Sequence, residues 1–96
     1  MKSTKNTFEK VIPGTFRLNK LLLKKYPNLS LNELKLCALL VLNISSKEIG
    51  EFTGRSVRTI EFTRYNIRKK MNLPPDENLV KHLILFIEER TVTDSM

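Results

Sequence analysis

The chain has 96 residues, enough for one domain, and 41% hydrophobic with 28% charged residues is the composition of a globular rather than a disordered protein. One cysteine excludes a disulfide framework, one histidine leaves no Cys/His metal cluster, and no apolar run approaches the roughly 20 residues of a membrane-spanning helix. The net charge of +7 is compatible with nucleic acid or an anionic surface as a partner. We therefore expect a cytoplasmic protein that is not an enzyme, needs no cofactor and does not act at a membrane.

The positive charge lies in two blocks along the chain. Residues 1–28 carry seven bases and one acid, and residues 55–73 carry six bases and one acid. Residues 74–96 instead carry five acids and two bases. We interpret residues 1–28 as a basic helical extension, residues 29–73 as the functional core, and residues 74–96 as a C-terminal helix with a tail.

The first two predicted elements are helices, since no segment shows a sustained alternation of apolar and polar residues. The segment FRLNKLLLKKY is amphipathic and ends at Pro27, which cannot continue a helix. Ser30 and Glu33 then have the spacing of a capping box at the start of LNELKLCALLVLN. Apolar residues, Cys37 among them, cover nearly every side of this second helix, so we expect it to be the central buried one.

A short third helix is predicted in the segment ISSKEIGEFTG. Ser45 or Ser46 is expected to cap it, and Gly54 to end it after about two turns. Ile49 and Phe52 should face the core.

A fourth helix follows at once, capped by Ser56 and extending over about residues 57–71. Two short helices joined by a tight glycine-containing turn predict a helix-turn-helix. The expected core stripe of the fourth helix is Ile60, Ile67 and Met71. The opposite stripe is Arg58, Glu61, Phe62, Tyr65 and Lys69, so the charge lies on the face that the core does not need.

The last predicted helix begins after Pro74 and Pro75, where Asp76 or Glu77 favours a helix N-terminus. Its apolar stripe is wide for a terminal helix, so we expect the outer edge to form a homodimer interface, although core packing also explains most of the stripe. The expected interface residues are Leu83, Ile84, Phe86 and Ile87. The segment TVTDSM is expected to be a frayed polar tail. The predicted fold is all-α, a helix-turn-helix bundle of four core helices with an extra N-terminal helix.

The order of these motifs resembles that of LuxR/GerE-type helix-turn-helix DNA-binding domains. The family's Leu-Thr-x-x-Glu start is matched by Leu29, Ser30 and Glu33. Its Lys-Glu-Ile-Ala core is matched by Lys47, Glu48 and Ile49, with Gly50 in place of Ala. Its end, Thr-Val-Lys-x-His-x-x-Asn-Ile-x-x-Lys-Leu, is matched by Thr59, Asn66, Ile67 and Lys70, with Ile60 and Met71 as conservative replacements. Glu61 replaces the usual Lys and Thr63 the usual His, so the resemblance implies the family's fold but not its usual operator preference.

The chain is most similar to a subgroup of these domains from Bacteroidetes, which also has Glu at the position of Glu61. The likeness is carried by YPNLSLNELKLCALLVLNISSKEI and DENLV, extends upstream through FEKVIPGTF, and covers roughly residues 8–85. It also includes Arg64, Tyr65, Arg68, Lys69 and Lys70. Those domains lie at the C-terminus of sensor-regulators, so the resemblance implies that the chain is a fragment or stand-alone relative of a longer protein with an upstream sensor region.

The basic helix is suited to the major groove of B-DNA, where base edges present a readable pattern of donors and acceptors. Arg58 is expected to bind guanine, and Glu61, which only accepts hydrogen bonds, to bind the amino group of cytosine. Phe62 is expected to contact a thymine methyl group, and Tyr65 a base or a phosphate. Structural alternatives remain open: Glu61 pairs with Arg58 or Tyr65, Phe62 packs under the turn after Gly54, and Tyr65 is half buried.

Phosphate contacts are expected from residues beside this stripe and from the start of the preceding helix, whose free N–H groups also favour phosphate. The expected residues are Ser46, Lys47, Arg64, Arg68, Lys69 and Lys70. Six such contacts would give a slope of about −5 for the logarithm of affinity against the logarithm of salt concentration. The alternatives are a solvated face for Arg64 and Arg68, and stabilisation of the helix C-terminus by Lys70.

The leading hypothesis is a sequence-specific transcription regulator that binds double-stranded DNA as a homodimer. A sigma region 4-like module, which reads promoter DNA while bound to RNA polymerase, is the alternative in the same fold class. A third hypothesis is a protein-interaction module that docks through its acidic and apolar C-terminal helix, with the basic helix incidental.

Overall fold

The computed structural model describes the backbone of residues 15–95 and the side chains of residues 17–90. This part of the chain forms five α-helices and no β-strand, which confirms the predicted all-α class. The helices are α1 (Thr15–Lys25), α2 (Leu31–Leu40), α3 (Ser46–Thr53), α4 (Val57–Lys70) and α5 (Leu79–Ser95). Apart from the backbone of its last two residues, the FEKVIPGTF segment lies outside the described residues. Within residues 15–95 no helix has both the length and the apolarity needed to cross a membrane.

Serine residues begin the three middle helices. Ser30, Ser45 and Ser56 are the N-caps of α2, α3 and α4, and each side chain accepts a hydrogen bond from the backbone N–H three residues later. Glu33 and Glu48 return a hydrogen bond to the cap backbone, so α2 and α3 both begin with a complete capping box. Of the two serines predicted to cap α3, Ser45 is the cap.

Two residues with positive φ end α3 and α4. Gly54 has φ of 76° at the C-terminus of α3, a conformation that glycine adopts without strain. Asn72 has φ of 58° after α4, and the next N–H, that of Leu73, donates to the carbonyl of Arg68. These caps stop both helices within a residue of the predicted ends.

The core is built around α2, which packs against α1, α4 and α5. It alone supplies six of the buried apolar side chains, as its nearly all-round apolar sequence predicted: Leu34, Leu36, Cys37, Ala38, Leu39 and Leu40. The other helices each contribute buried apolar side chains to this core: Leu18 and Leu22 from α1, Ile49 from α3, Ile60 and Ile67 from α4 with Met71 at its C-cap, and Leu79, Leu83 and Phe86 from α5. The segment around α1 therefore shares the core of the later helices.

Three large apolar residues differ from the predicted burial. Phe52, expected in the core, is 45% exposed, because Ile49 fills the inward side of the short helix α3 and Phe52 lies at its edge. Leu31 and Leu42 are also exposed, since they lie at the two ends of the α2 segment, beyond the neighbouring helices.

Helix α5 also differs from its predicted bounds. Asn78, rather than Asp76 or Glu77, begins it, because the Asn78 side chain accepts a hydrogen bond from the N–H of Lys81 at 2.9 Å. The helix continues to Ser95, so the predicted frayed tail is helical almost to its end. The ring of His82 ties α5 to the end of α1, with one nitrogen 3.1 Å from the Tyr26 hydroxyl and the other 3.1 Å from the Glu77 carboxylate.

Candidate nucleic-acid interface

Helix α4 has one buried face and one face in solvent. Ile60, Ile67 and Met71 are at most 5% exposed and hold the helix against the core. The five residues of the opposite stripe are all exposed: Arg58, Glu61, Phe62, Tyr65 and Lys69. The prediction of which face of α4 is buried is therefore confirmed.

A tight turn sets the angle between α3 and α4, which pack against each other. The Arg55 N–H donates to the Gly50 carbonyl at 2.9 Å, and the Ser56 hydroxyl accepts the Thr59 N–H at 3.1 Å. A Cβ atom on Gly50 would lie 2.5 Å from the Arg55 carbonyl oxygen, so only glycine fits this approach of turn to helix. The start of α4 is thus held by the close backbone approach at Gly50 and by the Ser56 cap, and not by the residues of the exposed stripe.

The aromatic residues of the exposed stripe stand in solvent. Phe62 is 62% exposed and does not pack under the turn after Gly54, so that alternative is wrong. Tyr65 is 55% exposed, and the Lys69 ammonium lies 5.4 Å from its ring centre. Among the described residues, no hydrogen bond or ion pair joins Glu61 to Arg58 or Tyr65. Both rings and the Glu61 carboxylate are therefore accessible to a partner.

Two of the predicted phosphate ligands contact each other. The Arg64 guanidinium donates to the Ser46 hydroxyl at 3.2 Å, which joins the middle of α4 to the start of α3. Ser46 is buried, and Arg64 is half-buried with further N–H groups on its guanidinium. Lys47 and Lys69 are exposed, as a phosphate contact requires.

Arg68 and Lys70 have partners within the chain that the sequence did not suggest. The Arg68 guanidinium donates to the carbonyls of Pro74, Pro75 and Glu77, and so fixes the loop between α4 and α5. Lys70 lies 2.8 Å from the buried Glu33 carboxylate and 3.1 Å from the Asn28 carbonyl.

These contacts give both side chains a structural role, while 36% of the Lys70 side chain remains exposed. Arginine can donate several hydrogen bonds in one plane, which matches the three carbonyls of the loop. The Lys70 ammonium compensates a carboxylate that would otherwise be buried without a charge partner.

The predicted dimer residues of α5 divide into two groups. Leu83 and Phe86 are 0% and 4% exposed, so the prediction that they form an outer face is wrong. Every third or fourth residue of α5 faces α2, and both lie on that inward stripe. Ile84 is 37% exposed and Ile87 packs against the core edge. Leu85, which is not among the predicted interface residues, is 47% exposed and adjoins Ile84.

The described residues contain no group of three or more His, Cys, Asp or Glu side chains that could hold a metal ion. Comparison of the chain with protein-family models, with curated proteins and with solved structures found no significant match. A functional assignment therefore rests on the chain's own residues and their geometry.

Proposed function

We propose that the chain is a sequence-specific DNA-binding domain of a transcription regulator, in which α3, the turn and α4 act as a helix-turn-helix. The observation that carries the proposal is the exposed stripe of α4. The core holds the helix by its opposite face, and the stripe projects a guanidinium, a carboxylate and two aromatic rings into solvent. A helix of this kind fits the major groove, where those groups can read base edges.

The four base-reading roles follow from hydrogen-bonding chemistry and position on α4. Arg58 lies in the first turn of α4, the part of a recognition helix that contacts base edges, and its guanidinium suits guanine O6 and N7. Glu61 suits a cytosine amino group. Phe62 suits a thymine methyl group, and Tyr65 lies one turn after Glu61, where it reaches a base or the backbone.

Fewer cations are available for phosphate than the sequence suggested. Arg68 and Lys70 have partners within the fold, which leaves Lys47, Arg64 and Lys69 as the cationic members of the predicted set. Three phosphate contacts give a slope of about −3 for the logarithm of affinity against the logarithm of salt concentration. The DNA-binding proposal therefore includes a weaker salt dependence than the slope of about −5 expected from sequence.

The exposed edge of α5 is the surface through which we propose that two copies of the chain associate. Ile84 and Leu85 are adjacent, apolar and exposed, and Ile87 borders them. If two copies associate through this edge with two-fold symmetry and bind one duplex, the operator should be an inverted repeat.

Two single substitutions on α4 test the division between base reading and phosphate binding. Arg58→Ala should reduce discrimination at one base position by about 1–3 kcal/mol. Lys69→Ala should weaken matched and scrambled duplexes alike and make the salt slope shallower by about 1. Titration of fluorescent duplexes measures both effects. Equal losses on matched and scrambled DNA for Arg58→Ala would contradict the assigned roles.

A protein-interaction module is the second candidate, because Ile84 and Leu85 are exposed on a helix that also presents Glu88. In that case duplex affinity should stay low at physiological salt. Substitutions on α5, rather than on α4, should then remove binding of the partner protein.

A further inference from the structure

A half-open cleft lies between α2, α3 and α4, with a volume of about 230 Å³. Helix α4 contributes Ile60 and Thr63 to its wall, and none of the residues of the exposed stripe. The cleft is therefore a second surface, separate from the stripe that we propose to contact DNA.

The cleft combines an apolar floor with a basic rim. Its floor is formed by side chains of the core, namely Leu36, Leu39, Ile49 and Ile60. Phe52 stands at the edge with 45% of its surface exposed, and Lys35 and Arg55 also line the opening. None of the ten lining residues is acidic. A complementary partner would carry an apolar group for the floor and negative charge for the rim.

The size of the cleft indicates the kind of partner. Sites for free small molecules usually have volumes of roughly 300–1,000 Å³ and enclose most of the ligand. A half-open space of about 230 Å³ is better suited to one bulky side chain presented by a larger molecule. Aromatic or aliphatic anchors that enter a pocket in this way carry much of the affinity of protein interfaces.

We propose that this cleft docks an acidic amphipathic helix from a partner protein. The helix would insert an apolar anchor beside Phe52 and place its carboxylates near Lys35 and Arg55. Grooves that receive amphipathic helices recognise apolar anchors at helical spacing, with charge at the rim setting specificity.

Charge argues against the chain's own N-terminal segment as the occupant. Residues 1–14 carry three lysines and one glutamate, so this segment is basic, like the rim. The docking proposal does not require DNA binding, since the cleft and the exposed stripe of α4 use different side chains.

The test is selection of short helical peptides with randomised surface positions against the immobilised chain. The wild type should enrich peptides that combine an aromatic or leucine anchor with Asp or Glu. The double variant Lys35→Glu/Arg55→Glu should reverse the preference and enrich Lys and Arg. Phe52→Ala should weaken the selected acidic peptides by about tenfold.

A matched control separates the cleft from the overall positive charge. Lys24→Glu/Lys81→Glu changes the net charge by the same amount at two exposed residues away from the cleft, and should leave the acidic preference unchanged. The proposal is overturned if no acidic peptides are enriched. It is equally overturned if the control Lys24→Glu/Lys81→Glu loses the preference for acidic peptides together with the cleft variant Lys35→Glu/Arg55→Glu. The third contradicting result is that Arg58→Glu/Lys69→Glu on α4 removes the preference for acidic peptides while the cleft variant keeps it.

Concentration-dependent self-association that Phe52→Ala abolishes, without peptide enrichment, would also overturn the proposal, because a second copy of the chain would then be the occupant. Duplex titration of the cleft variant separates the two proposals. The variant should keep the base preference of the wild type, whereas failure of the DNA-binding proposal would appear in the wild type itself.

Discussion

Lys69 and Lys70 are neighbours in the chain, yet α4 directs their side chains to different environments. Lys69 stands beside Tyr65 in solvent, and Lys70 turns towards the carboxylate of Glu33, whose side chain is 8% exposed. Burial alone would raise the pKa of Glu33. Hydrogen bonds from Lys70 and Ser30, together with the Lys70 charge, outweigh burial and lower the pKa below its ordinary value of 4.5.

The lowered pKa of Glu33 makes a pH-dependent contribution to stability. The contribution is present above the pKa of the unfolded chain and is lost as the pH falls through the lower pKa of the folded state. Lys70→Met should reduce the free energy of unfolding by about 1–2 kcal/mol at neutral pH. It should also flatten the pH dependence below about pH 4.5. Urea unfolding followed by circular dichroism measures both effects.

Lys69→Met is the matched control at the adjacent residue. It should change the free energy of unfolding by less than about 0.5 kcal/mol, as expected for an exposed side chain. Equal destabilisation by the two substitutions would contradict a structural role specific to Lys70.

Cys37 provides a second test at the scale of one residue. Burial, assisted by the nearby Glu33 charge, raises the pKa of its thiol to about 12. The native protein should therefore resist alkylation by iodoacetamide at pH 8, and urea should restore rapid labelling as the core opens. Mass spectrometry gives the rate, and fast labelling of the folded chain would contradict the position of Cys37 in the core.

At the scale of elements, the contact between α3 and the turn depends on Gly50. Here a Cβ atom would come within 2.5 Å of the Arg55 carbonyl oxygen. Gly50→Ala should force the turn away from α3 and destabilise the fold by about 1–3 kcal/mol, despite the higher helix propensity of alanine. Chemical unfolding measures this change.

Gly54→Ala is the natural comparison for that substitution. The space around Gly54 is open, so the cost in stability should be only the strain of a positive φ, about 1 kcal/mol.

Gly50→Ala should in addition weaken duplex binding by tilting α4. An unchanged or increased stability of Gly50→Ala would show that the turn can open without cost.

The ends of the helices were predictable from the sequence because they depend on interactions between residues close together in the chain. A serine N-cap and a glycine in the left-handed conformation act on backbone groups within three or four residues, so Ser30, Ser56 and Gly54 were recognisable from the sequence alone. The buried face of α4 followed from its helical period.

Contacts between distant residues were not predictable in this way. Lys70 and Glu33 are 37 positions apart, and nothing in the spacing of either suggests the other. The sequence predicts a phosphate contact for Arg68 from its position beside the exposed stripe. Its partners in the fold are backbone carbonyls of a loop, which leave no mark in side-chain patterns. The apolar stripe of α5 could not be divided into core and surface residues until the position of α2 was known.

At the scale of the whole molecule, the proposed homodimer requires an exposed apolar surface on each copy. The core already uses Leu83 and Phe86, so among the described side chains of α5 the exposed large apolar ones are Ile84 and Leu85. The edge that they form is small, and dimer formation in the absence of DNA should therefore be weak.

Ile84→Asp with Leu85→Asp should convert a dimer to a monomer and leave the helix content unchanged. Sedimentation measures the mass, and circular dichroism measures the fold. Lys81→Asp, at an exposed polar position of the same helix, should leave the mass of the dimer unchanged. A wild-type chain that remains monomeric at high concentration, with and without DNA, would contradict the dimer.

The most direct test of the central claim is selection of bound duplexes from a random pool near physiological salt, followed by sequencing. We expect an enriched inverted repeat with a fixed half-site spacing, and a slope of about −3 for the logarithm of affinity against the logarithm of salt concentration. A pool that stays random, with binding that disappears as salt rises, would contradict sequence-specific recognition by the exposed stripe of α4.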